Sequence, residues 1–377
     1  MTAGLSRRDL FQRVAAAGVG VALVGSTEML LTAPASADTG VPEIGYGPLV
    51  ADPAKRLALP RGFRYSIVTR AGVTKLETGQ PTPRNHDGTG AFARAAGGTV
   101  LVNNHEIREP FGTDLAVPHL GGLTYDPGAA GGCEIYLTED ASGPSGLLYR
   151  WQPPSGFRPG RGALRGLRPT DGVLAAMKAT DGAGKHVADL SLASAVGTTY
   201  GVEWVPVPDR DGRNTPTRRQ LGNGDVTRSR KLEGAWWAGA GAYVVASYAR
   251  ASDQGGAKAH DGQVWFYDPL GSTLTLRLAF GRDTTPEVDG AFDGPDNISL
   301  SPYGGVIIAE DGEGIKHLVG ATDRGQTFPI ARNDFTDASR NVEFTGPVYA
   351  PERNILFANI QEPGYMFAIT GPWRAQR

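Results

Sequence analysis

The chain has 377 residues, of which 53 are glycine and 27 are proline, a composition that favours short strands and tight turns over long helices. Its formal net charge is −2 and its sequence pI is about 6.3, so it lacks the basic surplus of nucleic-acid-binding proteins and we expect no nucleic-acid partner. The single cysteine, Cys133, excludes an intramolecular disulfide and is predicted to be a small buried hydrophobe.

The N-terminus has the pattern of an export signal. Ser6–Phe11 (SRRDLF) contains a twin-arginine pair, an apolar stretch runs from Val14 to Leu31, and Ala35–Ala37 (ASA) matches a small-residue cleavage site. The pattern predicts a signal peptide over residues 1–37, the twin-arginine translocon as export partner, and a secreted or extracytoplasmic mature protein. The alternative is an uncleaved membrane anchor, because the apolar stretch is nearly long enough to span a bilayer.

Short apolar strands that run into acidic or amide residues recur along the rest of the chain. They are Val100–Glu106, Glu134–Asp140, Tyr243–Tyr248, Val306–Asp311 and Ile355–Glu362. Polar residues precede each strand and its turn, namely His86-Asp87, His119, Glu233, Asp293 with Asp296-Asn297, and Glu343. The interval is 20 residues both from His86 to Glu106 (106 − 86) and from His119 to Glu139 (139 − 119). This regularity predicts one hairpin used repeatedly in a radial β architecture.

These features predict an all-β chain with a single β-propeller domain over residues 38–377, built from about six blades around a channel. Two packed sandwiches are the alternative, but the acidic strand ends favour a common centre. Residues 143–230 are predicted to form a long loop over one mouth, with small helical pieces at 163–178 and 193–195. We expect a monomer, because a closed propeller leaves no free edge to pair.

The acids at the strand ends indicate a bound cation. A buried carboxylate is costly to desolvate unless a positive charge meets it, and carboxylate and amide oxygens are the ligands that calcium prefers. The sequence therefore predicts a calcium site where the strand ends meet. Neither a serine-nucleophile elbow nor a nucleotide cradle is present in the sequence.

Several short blocks resemble, in the same order, those of the PhoX-type alkaline phosphatases. They are Asn104–Glu106 (NHE), Leu137–Asp140 (LTED), Leu232–Gly234 (LEG), Asp293–Asn297 (DGPDN), Ala309–Gly312 (AEDG), Glu343–Pro347 (EFTGP) and Asn359–Gly364 (NIQEPG). The resemblance implies a six-bladed propeller whose centre holds iron and calcium and hydrolyses phosphate monoesters. It implies metal-binding side chains at Glu139, Asp140, Glu233 and Glu343, with Glu106, Asp296, Asn297, Glu310 and Asp311 as further candidates.

The sequence departs from the family pattern at three positions. His119 stands about where the family has an iron-binding cysteine, and a neutral imidazole would change the charge and redox preference of an iron site. Asp140 replaces the second of two paired glutamates and is one methylene shorter. Lys231 replaces a phosphate-contacting arginine, although Arg230 is adjacent.

The resemblance implies a metal-dependent phosphatase that takes a small phosphorylated substrate, with Lys231 or Arg230 as the catalytic cation that holds a phosphate oxygen. Calcium is the expected cofactor, and Fe3+ depends on His119. His86 and His105 are either ordinary hydrogen-bonded histidines or supporting groups of the centre. The alternatives are a calcium-stabilised secreted propeller without phosphatase activity, serving as a binding scaffold, and a calcium-dependent hydrolase of another ester.

Overall fold

The computed structural model describes residues 44–106, 120–129, 133–141, 146–158, 160, 162–247, 261–281, 283, 285, 287–337, 339 and 341–376. The predicted signal peptide lies outside these residues. Three 3-10 turns occur in the described ranges, at Ala163–Gly166, Leu190–Leu192 and Thr217–Arg219. The strands of the described ranges are β1 (Leu49–Val50), β2 (Leu57–Pro60), β3 (Arg64–Arg70), β4 (His86–Ala93), β5 (Thr99–His105), β6 (Leu120–Asp126), β7 (Glu134–Glu139), β8 (Leu148–Gln152), β9 (Val173–Thr180), β10 (His186–Val187), β11 (Thr199–Pro206), β12 (Leu232–Trp237), β13 (Ala242–Ala246), β14 (Gln263–Asp268), β15 (Thr273–Ala279), β16 (Pro295–Leu300), β17 (Val306–Glu310), β18 (His317–Ala321), β19 (Thr327–Asn333), β20 (Phe344–Tyr349), β21 (Ile355–Ile360) and β22 (Tyr365–Thr370).

The strands form successive antiparallel units, which confirms the all-β propeller architecture. Unit 1 is the hairpin β4–β5, unit 2 is β6–β9, unit 3 is β12–β15, unit 4 is β16–β19, and unit 5 is β20–β22 completed by β3. Strand β11 pairs with both β9 and β15 and so joins units 2 and 3 into one sheet. Five units are seen in the described part of the chain, and six blades stays a prediction.

The first strands of the units pack against one another around the centre of the molecule. Strand β12 packs against β6 and β16, and β20 packs against β16 and β4. The ends of the chain meet in unit 5, where β3 pairs antiparallel with β22. In unit 4, β2 likewise pairs with β19. N-terminal strands therefore close units that the C-terminal half of the chain begins.

In each unit, the start of the first strand and the end of the second strand lie at the same end, which we call the open end. In the hairpins, the start of the first strand lies opposite the end of the second, as in the pairs His86 with His105 and Phe344 with Ile360. All five first strands also carry a β-bulge close to that open end. A bulge adds a residue and redirects a side chain, so it can turn a polar group out of the sheet and into the channel.

Glycines at the bulges let neighbouring first strands approach each other closely. A Cβ on Gly234 of β12 would lie 2.7 Å from the carbonyl oxygen of Asp296 and 2.8 Å from Cα of Asn297, both in β16. Gly346 of β20 has φ +55°, and a Cβ there would lie 2.4 Å from the carbonyl oxygen of Asp87 in β4. Neither position has room for a side chain.

Apolar side chains pack between the units and within each sheet. Phe344, Ile307 and Phe367 belong to one buried cluster shared by units 4 and 5, and Trp265 and Met177 belong to another shared by units 2 and 3. Cys133 is buried, as predicted. Among the residues that the structure describes, no helix has the length and apolar character to cross a membrane.

Two predictions about the 143–230 segment were wrong. Of the expected helical pieces, Ala163–Gly166 is a 3-10 turn, but residues 173–178 lie in β9 and residues 193–195 follow the 3-10 turn Leu190–Leu192 without being helical. The expected loop also contains β8, β10 and β11. These strands are stabilised by their place in the joined sheet, where β9 pairs with both β8 and β11. The long connection that remains runs from residue 207 to residue 231.

We expect Gly234→Ala to lower the free energy of unfolding by about 1–3 kcal/mol, the usual cost of overpacking a well-filled interior. The added methyl meets backbone atoms of β16, which cannot rotate away as a flexible side chain could. Urea unfolding measures the effect. Gly182→Ala is the matched control, since a Cβ at Gly182 meets no atom within 4 Å; equal stabilities of the two variants would contradict the close packing.

Candidate functional site

Seven carboxylates gather at the open end of the units, and we call them the acidic cluster. They occupy first-strand bulges or the residues beside a strand end, and electrostatic coupling links each of them to others in the set. The acidic cluster consists of Asp87, Glu106, Asp140, Glu233, Asp296, Asp311 and Glu343. Members come from all five units, so the site exists only once the units are assembled.

The deepest members are Glu233, Asp296 and Glu343, and their charges are poorly compensated. Burial and then the charge of Asp296 raise the pKa of Glu233 well above its ordinary value. Burial raises the pKa of Asp296 as well, with the carboxylate of Glu343 adding to the rise. The pKa of Glu343 is raised to about 8, first by burial and then by Asp311. A cation in this region would relieve the repulsion and favour the ionised carboxylates.

Amide side chains hold several of these carboxylates in place. Nδ2 of Asn297 donates to Oδ1 of Asp296 at 3.1 Å, while Oδ1 of Asn297 accepts the backbone N–H of Gly346 at 2.6 Å. Nε2 of Gln361 donates to Glu106 at 2.8 Å. Asn297, a predicted metal ligand, therefore connects units 4 and 5 beside the acidic cluster.

Lys231 brings a positive charge to the acidic cluster. Its Nζ lies 3.4 Å from Oε1 of Glu233 and 3.8 Å from Oδ2 of Asp311. Burial alone would lower the pKa of Lys231, but Glu233, Asp140 and Asp311 raise it above the ordinary value, so the amine stays protonated. The neighbouring Arg230 is almost fully buried, with 2% of its surface exposed, whereas the Lys231 side chain is 34% exposed.

Two predicted ligands point away from the acidic cluster. Glu139 is fully buried, accepts a hydrogen bond from the Tyr149 hydroxyl at 2.8 Å, and pairs with Nη1 of Arg218 at 3.0 Å. Glu310 accepts from the backbone N–H groups of Asp293 and His317. Asp140 and Asp311, which directly follow β7 and β17, interact electrostatically with the acidic cluster, whereas the main influences on the pKa of Glu139 and of Glu310 come from residues outside it.

Three histidines were also considered from the sequence, and one acid of the cluster was not predicted. His119 lies outside the described residues. His86 is buried and its ring centroid lies 5.1 Å from that of His105; in the chain, the two histidines directly precede Asp87 and Glu106 of the acidic cluster. Asp87 was not among the predicted ligands, although it follows His86 at the bulge of β4, the position that Glu233 takes in β12.

The donor set of the acidic cluster fits hard cations. Its side chains supply carboxylate oxygens, which suit calcium. Within those same ranges, no three His, Cys, Asp or Glu side chains stand close enough together to enclose a metal ion.

Comparison with known proteins identifies the family of the chain. A family model described as alkaline phosphatase PhoX matches residues 44–135 and 134–364. The chain belongs to the alkaline phosphatase PhoX family. Membership indicates a phosphatase, and therefore a hydrolase.

One solved structure supports the fold of this PhoX-family chain. A structure titled Pseudomonas fluorescens PhoX in complex with vanadate, a transition state analogue, superposes with a TM-score of 0.60 at 12% identity, covering 87% of this chain and 98% of that one. The pyranose dehydrogenase PQQ domain from Coprinopsis cinerea also matches, with a TM-score of 0.31 at 13% identity, covering 84% of this chain and 98% of that one. No curated protein sequence matches the chain.

We expect His317 to make stability depend on pH. Its ring nitrogens face Glu310 at 2.9 Å and Asp289 at 3.0 Å, and although burial opposes the charge, these carboxylates raise its pKa to about 9. The protonated ring of His317 stabilises the fold. This contribution is complete below pH 6.5, the ordinary pKa of histidine in the unfolded chain, and it is lost as pH rises through about 9.

Urea unfolding at a series of pH values tests this expectation. Between pH 6 and 10, wild-type stability should fall by roughly 3 kcal/mol more than that of His317→Gln. His186→Gln, which loses one contact to a backbone carbonyl, should keep the wild-type dependence. Parallel curves for wild type and His317→Gln would contradict the assignment.

Proposed function

We propose that this PhoX-family chain is an exported, metal-dependent phosphatase that hydrolyses phosphate monoesters at the acidic cluster. The observation that carries the proposal is the convergence of seven carboxylates and Lys231 at one end of the channel. So much buried negative charge is unfavourable without cations, and bound cations would in turn attract a phosphate group. In this proposal residues 1–37 direct export through the twin-arginine pathway, and the mature protein acts outside the cytoplasm.

Calcium is the cation that these residues fit best. Glu233, Asp296 and Glu343 would hold it in the deep part of the centre, with Asp140 and Asp311 nearer the opening. A bound cation would draw together carboxylates that repulsion keeps apart. Iron is the less supported cofactor and would need a ligand such as His119.

When bound, the cations would neutralise phosphate oxygens and stabilise charge that develops in the transition state. Lys231 and Asp311 are the more exposed residues of the centre, at 34% and 37%, so substrate would approach on their side. The ammonium group of Lys231 is then placed to donate to a phosphate oxygen. Lysine acts as a point charge, and it cannot make the two parallel hydrogen bonds of an arginine.

Two amide side chains keep carboxylates of the acidic cluster in place. Asn297 restrains Asp296 from unit 4 while bonding to unit 5, and Gln361 restrains Glu106. Residues that orient ligands are typically worth about 10–100-fold in metal affinity or activity. Precise placement therefore depends on the contacts between units as well as on the carboxylates themselves.

Metal analysis of the exported full chain, combined with p-nitrophenyl phosphate hydrolysis with and without added calcium, tests the proposal. Bound calcium with calcium-dependent turnover is the expected result. Bound calcium without turnover would instead support the non-catalytic scaffold or an esterase acting on another substrate. Absence of bound metal and of turnover would defeat the proposal.

We expect Glu233→Gln to reduce calcium binding and phosphatase activity at least tenfold, because it removes a buried charge with little change in volume. Calorimetric titration with calcium and initial-rate measurements provide the readouts. Glu352→Gln is the matched control, since Glu352 lies in an exposed turn and its change should affect neither. Full calcium binding and activity in Glu233→Gln would remove Glu233 from the centre.

Lys231→Gln should change two affinities in opposite directions. Loss of the positive charge leaves Glu233 and Asp311 less neutralised, so calcium should bind more tightly. Phosphate as a competitive inhibitor should bind less tightly, because its contact with the ammonium group is gone. Calcium titration and an inhibition constant for phosphate measure the two effects, and a shift of both in the same direction would contradict this role.

A further inference from the structure

The connection between β11 and β12, residues 207–231, holds the segment of unit 2 that carries Asp140. The backbone N–H of Lys231 donates to the carbonyl oxygen of Ala141 at 3.3 Å. Ser229 and Gly146 exchange two backbone hydrogen bonds, each 3.0 Å long. The end of the connection is therefore fixed to the residues that follow β7.

A buried ion pair holds the same segment from the other side. Arg218, in the 3-10 turn of the connection, donates to Oε1 of Glu139, while the Tyr149 hydroxyl donates to Oε2. Arg218 is itself held in place, because the Arg228 guanidinium donates to its carbonyl oxygen at 3.0 Å. Asp140 thus lies between two residues, Glu139 and Ala141, that the connection contacts directly.

We propose that Glu139 is a positioning residue rather than a metal ligand, and that its ion pair with Arg218 sets the placement of Asp140 and Lys231 in the centre. The inference rests on the proposed calcium-dependent function. Both carboxylate oxygens of Glu139 accept hydrogen bonds from residues outside the acidic cluster, Tyr149 and Arg218, and no cluster member is among the main influences on its pKa. One connection thereby positions a carboxylate of the cation site and the cation that contacts phosphate.

The positioning role predicts equal and non-additive effects on calcium affinity. Glu139→Gln and Arg218→Gln should each weaken calcium binding by about 10–100-fold, the range typical for residues that orient metal ligands. The double variant should be no weaker than the single variants, because all three lose the same contact. The number of calcium ions bound per chain should stay unchanged, and Arg218→Lys should recover part of the affinity.

Calorimetric titration of the chelator-treated full chain with calcium measures both affinity and stoichiometry. Arg150→Gln is the matched control, because Arg150 pairs with Glu134 at the opposite end of β7, at 3.4 Å, and its loss should leave calcium affinity unchanged. Urea unfolding in chelator identifies any variant that fails to fold, and Glu139→Gln retains a hydrogen-bonding side chain for Tyr149.

Different outcomes overturn different statements. If Glu139→Gln loses a bound calcium ion while Arg218→Gln keeps it, Glu139 is a ligand and the positioning role is wrong. Wild-type affinity in a folded Arg218→Gln would also overturn that role while leaving the calcium centre intact. Absence of calcium binding by the unaltered chain would overturn the proposed centre itself, together with the inference that rests on it.

Discussion

The mutual repulsion of carboxylates at one end of the channel is the constraint on which the rest of the structure depends. Glu233, Asp296 and Glu343 are nearly buried, and burial together with the charges of neighbouring carboxylates raises the pKa of each. Packing between the units must supply the energy that holds them there. The bulges and glycines at the open end of the channel serve this arrangement, because they turn acids inward while the strands stay in contact.

The repeated hairpins could be predicted from the sequence because alternation, turns and strand-end acids all recur locally. The strand predicted at Val306–Asp311, for example, is observed at Val306–Glu310. Strands β8, β9 and β11 were missed because their stability comes from pairing across a sheet that joins two units, and the glycine- and proline-rich segments around them dominate the local pattern.

The candidate site was harder to predict than the fold. Paired acids such as Glu139-Asp140 and Glu310-Asp311 appear as one motif in the sequence, yet the first member of each pair is held by partners outside the acidic cluster and the second belongs to it. The sequence of each pair does not indicate which of its two acids joins the acidic cluster. That depends on partners distant in sequence, such as Arg218, which lies 79 residues from Glu139.

The pairing of β3 with β22 affects the order in which the strands can pair during folding. These strands are separated by almost the whole domain, from Arg70 to Tyr365, yet they are neighbours in unit 5. Contacts of such high sequence separation carry a large loop-closure entropy and usually form late in folding. During synthesis, β3 therefore remains unpaired until β22 has left the ribosome, and until then the backbone N–H and C=O groups that it directs to β22 have no strand to pair with.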